Sequence, residues 1–151
     1  IQRALEILRT TGKPLNEHFA AQRSEPPPYR LLSLALLPSD RAVLHERIAR
    51  RFDEMLAQGL VGEVERLRAQ YKLDANLPSM RCVGYRQVWE MLEGTLPKNE
   101  LRDRGIYATR QFAKRQITWL RSMSDLVTLD PLDSSATEQA LKLVTDFLQP
   151  A

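Results

Sequence analysis

Two short apolar runs limit what this chain can fold into. Leu31 to Leu37, LLSLALL, sits between Pro28 and Pro38, and Leu126 to Leu129, LVTL, comes after a long stretch of helical periodicity. Seven residues closed by prolines are too few for a helix, so each run reads as a short strand, the first as a buried parallel one. Two strands do not make a whole sheet, and the remainder of any sheet is expected upstream. Everything else is helical. Ile1, Leu5 and Leu8 are spaced for a helix that Gly12 and Pro14 stop, and Lys13 to Tyr29 reads as a loop ending in Pro26-Pro27-Pro28, a stiff junction. Ser39 or Asp40 caps a helix that Gly59 ends, and Leu44, Ile48, Phe52, Met55 and Leu56 form its apolar stripe. Further helices are predicted over residues 61–70, 85–92 and 99–123. Ser135-Ala136-Thr137-Glu138 reads as a capping box opening a last one. The fold class is helix-rich α/β.

Charge narrows the chemistry. Of the 22 basic residues 17 are Arg, whose rigid donor fork suits phosphate better than the point charge of Lys. Between Arg81 and Arg121 nine basic residues face four acidic ones, whereas the balance after Ser122 is acidic, so a polyanion should meet the middle of the chain. One cysteine excludes an internal disulfide and a Cys-cluster zinc site, and His18 and His45 are isolated from each other. A reducing, cytoplasmic setting is the default expectation. No apolar run reaches the ~20 residues that span a bilayer. The chain opens inside a helical pattern without a starting Met, so a fragment is expected.

Four constellations carry possible chemistry. Arg51 projects within about 40° of Leu44 and Met55 at roughly 100° per residue, and Arg47 lies one turn earlier at the stripe's edge. An Arg along a buried stripe needs an anion, either an internal carboxylate or a bound phosphate. Arg81-Cys82-Val83-Gly84-Tyr85-Arg86 puts two guanidiniums around a glycine at a helix start, where anions bind, and Tyr85 offers a ring for stacking. Arg110, Lys114 and Arg121 share one face of the long helix and Arg104 and Arg115 another, with Phe112, Ile117, Trp119 and Leu120 as the packing side. Such a ridge is either a solvated face or a track for backbone phosphates. At the start, Arg3 and Glu6 are spaced to pair with each other.

Read together, IQRALE, HERIARRFDEML, LPSMRCVGYRQVWEMLEG and ATRQFAKRQITWLR resemble the C-terminal half of bacterial tRNA dimethylallyltransferases, in the same order and at similar spacing. The resemblance implies transfer of a dimethylallyl group from dimethylallyl diphosphate to N6 of the adenine next to the anticodon, with Mg²⁺, releasing diphosphate. It implies a P-loop nucleotide-kinase-like core with a helical insertion that grips the anticodon stem-loop. Residues 1–28 would be the tail of that insertion and 29–151 the C-terminal part of the core. Arg51, with Arg47 beside it, matches the prenyl-diphosphate arginine and is the catalytic candidate. Ile1, Gln2 and Arg3, the segment Arg81, Cys82, Val83, Gly84, Tyr85 and Arg86, and the segment Lys114, Arg115, Gln116, Ile117, Thr118, Trp119, Leu120 and Arg121 match tRNA-contacting motifs. Neither the family's GxxxxGK[ST] loop nor its general-base Asp falls in these residues. The stretch alone is therefore expected to be inactive, a monomer with no membrane partner, and with the Mg²⁺ ligands mainly in the N-terminal half. Cys82 is expected to be a small packing residue. A non-catalytic helical RNA-binding module is the alternative.

Overall fold

The computed structural model describes residues 1–21 and 28–149. Pro26 and Pro27 of the expected junction lie outside them. Two compact units are present, Ile1–Leu31 and Leu32–Ala151.

The first unit holds helices α1 (Gln2–Thr11) and α2 (Leu15–Ala21). The second of these corrects the loop expected from Lys13 to Tyr29. Pro14 stops α1 but also opens α2, since a proline's missing N–H and fixed φ suit a first turn, and its carbonyl accepts from Glu17 N–H at 3.0 Å. Thr11 Oγ1 and His18 Nε2, 2.9 Å apart, tie the two helices together.

The second unit runs β1 (Ser33–Leu36), α3 (Arg41–Ala57), α4 (Leu60–Gln70), α5 (Tyr85–Leu92), a 3₁₀ turn at Lys98–Glu100, α6 (Leu101–Leu120), β2 (Leu126–Leu129) and α7 (Ala136–Leu148). β1 and β2 pair in parallel, with Ser33 opposite Leu126 and Leu36 opposite Leu129. A parallel pair needs a crossover between its strands, and here α3 to α6 supply it. Ala35 and Leu129 are buried, but Leu36 is 63% exposed, so the first strand is covered less completely than expected. The α3 cap is Asp40, whose Oδ1 accepts from Ala42 N–H at 2.7 Å.

The capping box at Ser135 does not form. Ser135 has helical backbone angles and no cap hydrogen bond, and its hydroxyl donates instead to Asp133 Oδ1 at 2.7 Å. A carboxylate two residues earlier is the stronger acceptor and takes the hydroxyl away from the helix.

The core comprises Ile48 and Phe52 from α3, Leu60 and Val64 from α4, Val88 from α5, Leu96, and Leu101 and Ile106 from α6. Leu44, Met55 and Leu56 pack against it, which is the stripe read from the sequence. α3 crosses α6 at Gly105. A Cβ there would stand 2.0 Å from Phe52 Cζ, and the Phe52 ring is 3% exposed with no room to retreat. On the solvent side of the same crossing, Arg102 Nε and Nη2 donate to Asp53 Oδ1 and Oδ2 at 2.5 and 2.8 Å.

Two outcomes follow from this packing. Gly105→Ala gains about 1 kcal/mol of helix propensity, but the clash with a locked ring outweighs it. Thermal denaturation should show a net loss of about 1–3 kcal/mol, partly recovered by adding Phe52→Leu. The second outcome concerns acid. Arg102 holds the Asp53 carboxyl below its ordinary value of 3.8. Ser39, with Leu132 N–H, does the same for Asp130, and Ser135 does it for Asp133. Carboxylates with lowered pKa stabilise the fold above that ordinary value and lose the contribution as pH falls through and below it. The melting temperature should therefore drop below about pH 4, and Asp53→Asn should make that drop shallower.

Candidate functional site

Arg47 and Arg51 stand on α3, but not as the stripe geometry predicts. Both are exposed, because the buried side of α3 is centred on Ile48 and Phe52, which turns Arg51 out of the core. The internal carboxylate partner is not there either: among the described residues neither arginine has an ion pair, while the neighbouring Arg50 reaches Glu54 at 3.9 Å. Two open guanidiniums one turn apart can receive an anion without first breaking a salt bridge.

The segment from Arg81 to Arg86 leads into α5. Gly84 has φ 96°, a conformation that a side chain strains, and Gln87 Oε1 accepts its N–H at 2.8 Å. Gln87 is the one buried polar side chain among the described residues, and its role is to satisfy that turn. Arg86 N–H is taken by the Cys82 carbonyl at 3.0 Å. These two amides are engaged within the turn itself.

Arg81 and Arg86 do converge. Together with Asn76, Met80, Trp89 and Glu90 they line one cavity of about 400 Å³. Arg86 is held by Glu90 at 2.8 Å, whereas Arg81 has no partner among the described residues. One expectation here, the packing of Cys82, is corrected. The Tyr85 ring packs against the core, and its hydroxyl donates to the Glu63 carboxylate. That hydrogen bond, with burial second, pushes the phenol above its ordinary value, and the ring is half-buried. Cys82 is not packed away but exposed, its thiol 3.5 Å from the Pro78 carbonyl. Val83 is half-buried.

On α6 the predicted ridge exists. Arg110, Lys114, Ile117, Thr118 and Arg121 line one groove of about 380 Å³ against α3. Arg104 instead faces Glu100 at 3.8 Å, and Arg115 lies over the Phe112 ring at 5.8 Å. The packing side is smaller than expected: Ile117 and Leu120 are half-buried, but Phe112 and Trp119 are 47% and 65% exposed. Trp119 and Gln116 border a neighbouring apolar hollow with Leu36 and Pro38. Arg41, His45 and Tyr107 complete the groove and were not singled out from the sequence. Tyr107 lies seven residues before Lys114, on the same helical face, and that periodicity was the available signal.

At the start of α1, Ile1, Gln2 and Arg3 are exposed. Arg3 reaches Glu6 at 3.5 Å, so the local pair forms in solvent, where such pairs contribute little. No three His, Cys, Asp or Glu side chains among the described residues cluster closely enough to hold a metal ion between them. No helix among the described residues is long and apolar enough to cross a membrane.

Residues 1–123 match the family model described as IPP transferase. The chain is 59% identical over 148 residues to the tRNA dimethylallyltransferase of Dechloromonas aromatica, covering 98% of the chain and 47% of that protein. It is 58% identical over 141 residues to that of Aromatoleum aromaticum, covering 91% and 44%. Among solved structures it superposes on the full-length tRNA isopentenylpyrophosphate transferase of Bacillus halodurans with a TM-score of 0.69 at 28% identity, covering 97% of the chain and 42% of that protein. The Staphylococcus epidermidis tRNA delta(2)-isopentenylpyrophosphate transferase gives 0.66 at 27%, with 97% and 47% covered. The chain thus spans about half the length of the relatives it matches.

Proposed function

The chain belongs to the IPP transferase family, and on that premise we propose that it works as the C-terminal part of a tRNA dimethylallyltransferase. The reaction moves a dimethylallyl group from dimethylallyl diphosphate to N6 of the adenine beside the anticodon. The adenine N6 forms a bond to the allylic C1 as the C1–O bond breaks. The electron pair leaves with diphosphate, and the N6 proton goes to a base outside these residues. Mg²⁺, held mainly outside them, would supply further charge neutralisation when bound.

One observation carries the reading. Among the described residues Arg47, Arg51, Arg81, Arg110, Lys114 and Arg121 all lack a carboxylate partner, although the chain has 19 acidic residues to offer. Arg47 and Arg51 suit the departing diphosphate, since a positioned guanidinium stabilises charge as it develops. Arg81 with Arg86, the α6 ridge, and Ile1 to Arg3 suit the anticodon stem-loop. An unpaired loop is the RNA element from which a base can be splayed out, at a few kcal/mol of unstacking.

In the whole protein, Arg51→Ala should lower kcat/KM for the prenyl donor about 10²-fold, read by transfer of labelled dimethylallyl to a stem-loop, with RNA affinity nearly unchanged. An equal loss of RNA binding would remove Arg51 from the donor site. Lys114→Ala should weaken stem-loop binding and flatten its dependence on log salt by about 0.7–0.9; an unchanged slope returns the ridge to a solvated face. RNA binding by a whole protein that never prenylates would favour the non-catalytic RNA-binding module.

A further inference from the structure

The groove between α3 and α6 has more to it than the ridge. Arg41 and His45 enter it from α3, facing Arg110, Lys114 and Arg121 on α6, and no carboxylate lines it. None of these basic side chains has a partner among the described residues. Like charges gathered without a counterion repel one another, and an anion relieves that repulsion. Arg110 sharpens the point, because its Nε is buried without any hydrogen-bond partner. A buried donor left unsatisfied is costly, and a guanidinium that turns toward a ligand acceptor in the groove is relieved of that cost.

The groove also has a shape and a second chemistry. Its floor is apolar, formed by Leu44, Ala113 and Ile117, which weakens solvent screening of the charges above. Tyr107 stands at its edge 60% exposed, and its hydroxyl makes no hydrogen bond among the described residues. A volume of about 380 Å³ falls in the range of sites that take one small organic unit, roughly 300–1,000 Å³. It is too small for a duplex. A phosphate beside a free aromatic ring, on the scale of a single residue, is the signature of an unpaired nucleotide.

We propose that this groove is a nucleotide subsite, in which Arg41, Arg110 and Lys114 hold an RNA backbone phosphate while Tyr107 stacks on an unpaired base of the same strand. The subsite rests on the tRNA reading above but goes beyond it, since Arg41 and Tyr107 lie outside the motifs that suggested that reading. The phosphate comes from the RNA and not from the prenyl donor, because a diphosphate has no use for the ring.

The test uses the whole protein and an anticodon stem-loop carrying 2-aminopurine in the loop. Tyr107→Ala and Arg41→Ala should each weaken binding about tenfold, the loss expected for one stacked base or one phosphate contact. Tyr107→Phe should retain both affinity and the quenching of 2-aminopurine, which Tyr107→Ala loses. Arg50→Ala, already paired with Glu54, is the control that should change nothing. Wild-type binding with both variants unaffected overturns the subsite alone. Arg41→Ala that raises the donor's KM while RNA affinity stays intact also overturns it, assigning the groove to a small diphosphate. Wild-type protein that does not bind the stem-loop overturns the tRNA reading and the subsite with it.

Discussion

The contact between the Phe52 ring and the bare backbone at Gly105 sets how closely α3 and α6 can approach. Only a glycine allows it, since a single added methyl would overlap the ring. The consequence reaches beyond packing. Arg47, Arg51, Arg41 and His45 all ride on α3, and Arg110, Lys114 and Arg121 all ride on α6, so the crossing fixes how the two cationic faces meet. The Asp53–Arg102 pair brackets the same crossing from outside. Being half-exposed it adds less than the ring contact, whose apolar area is wholly removed from water.

The acidic residues decide which arginines are available. Glu54, Glu90, Glu93, Asp53 and Glu100 face Arg50, Arg86, Arg68, Arg102 and Arg104. Three of these pairs are one helical turn apart, and two tie separate helices or the residues flanking them. Among the described residues Arg9 on α1 and Arg66 on α4 are also left without a carboxylate. The others fall on α3, in the approach to α5 and along α6, where a bound anion would meet donors that need not be freed from a carboxylate first. Arg81 and Arg86 illustrate the division: one is open and the other braced, around a single cavity.

Much of the fold was legible because periodicity is a local property. The α3 stripe, the 85–92 helix and the LVTL strand follow from apolar spacing and turn residues alone. The misreadings came where one residue serves two neighbours. Pro14 ends one helix and begins another, and Ser135 prefers the Asp133 carboxylate to its own helix. Tyr85 shows the same limit at the site, because nothing in RCVGYR announces that Glu63, 22 residues away, holds its hydroxyl. Arg41 and His45 were invisible for a related reason, as a groove between two helices belongs to neither sequence segment, whereas Tyr107 could be reached from the periodicity of α6.

By itself the sequence determined the helix-rich α/β class, the two short strands, the excess of arginine and, through four long motifs, the family. These depend on residue type and spacing along one chain. Tertiary structure decided which cations are free, which aromatics face solvent, and where two helical faces close into one groove. Burial and ion pairing are set by what lies opposite in space, and at Gly105 that was settled by the absence of a side chain.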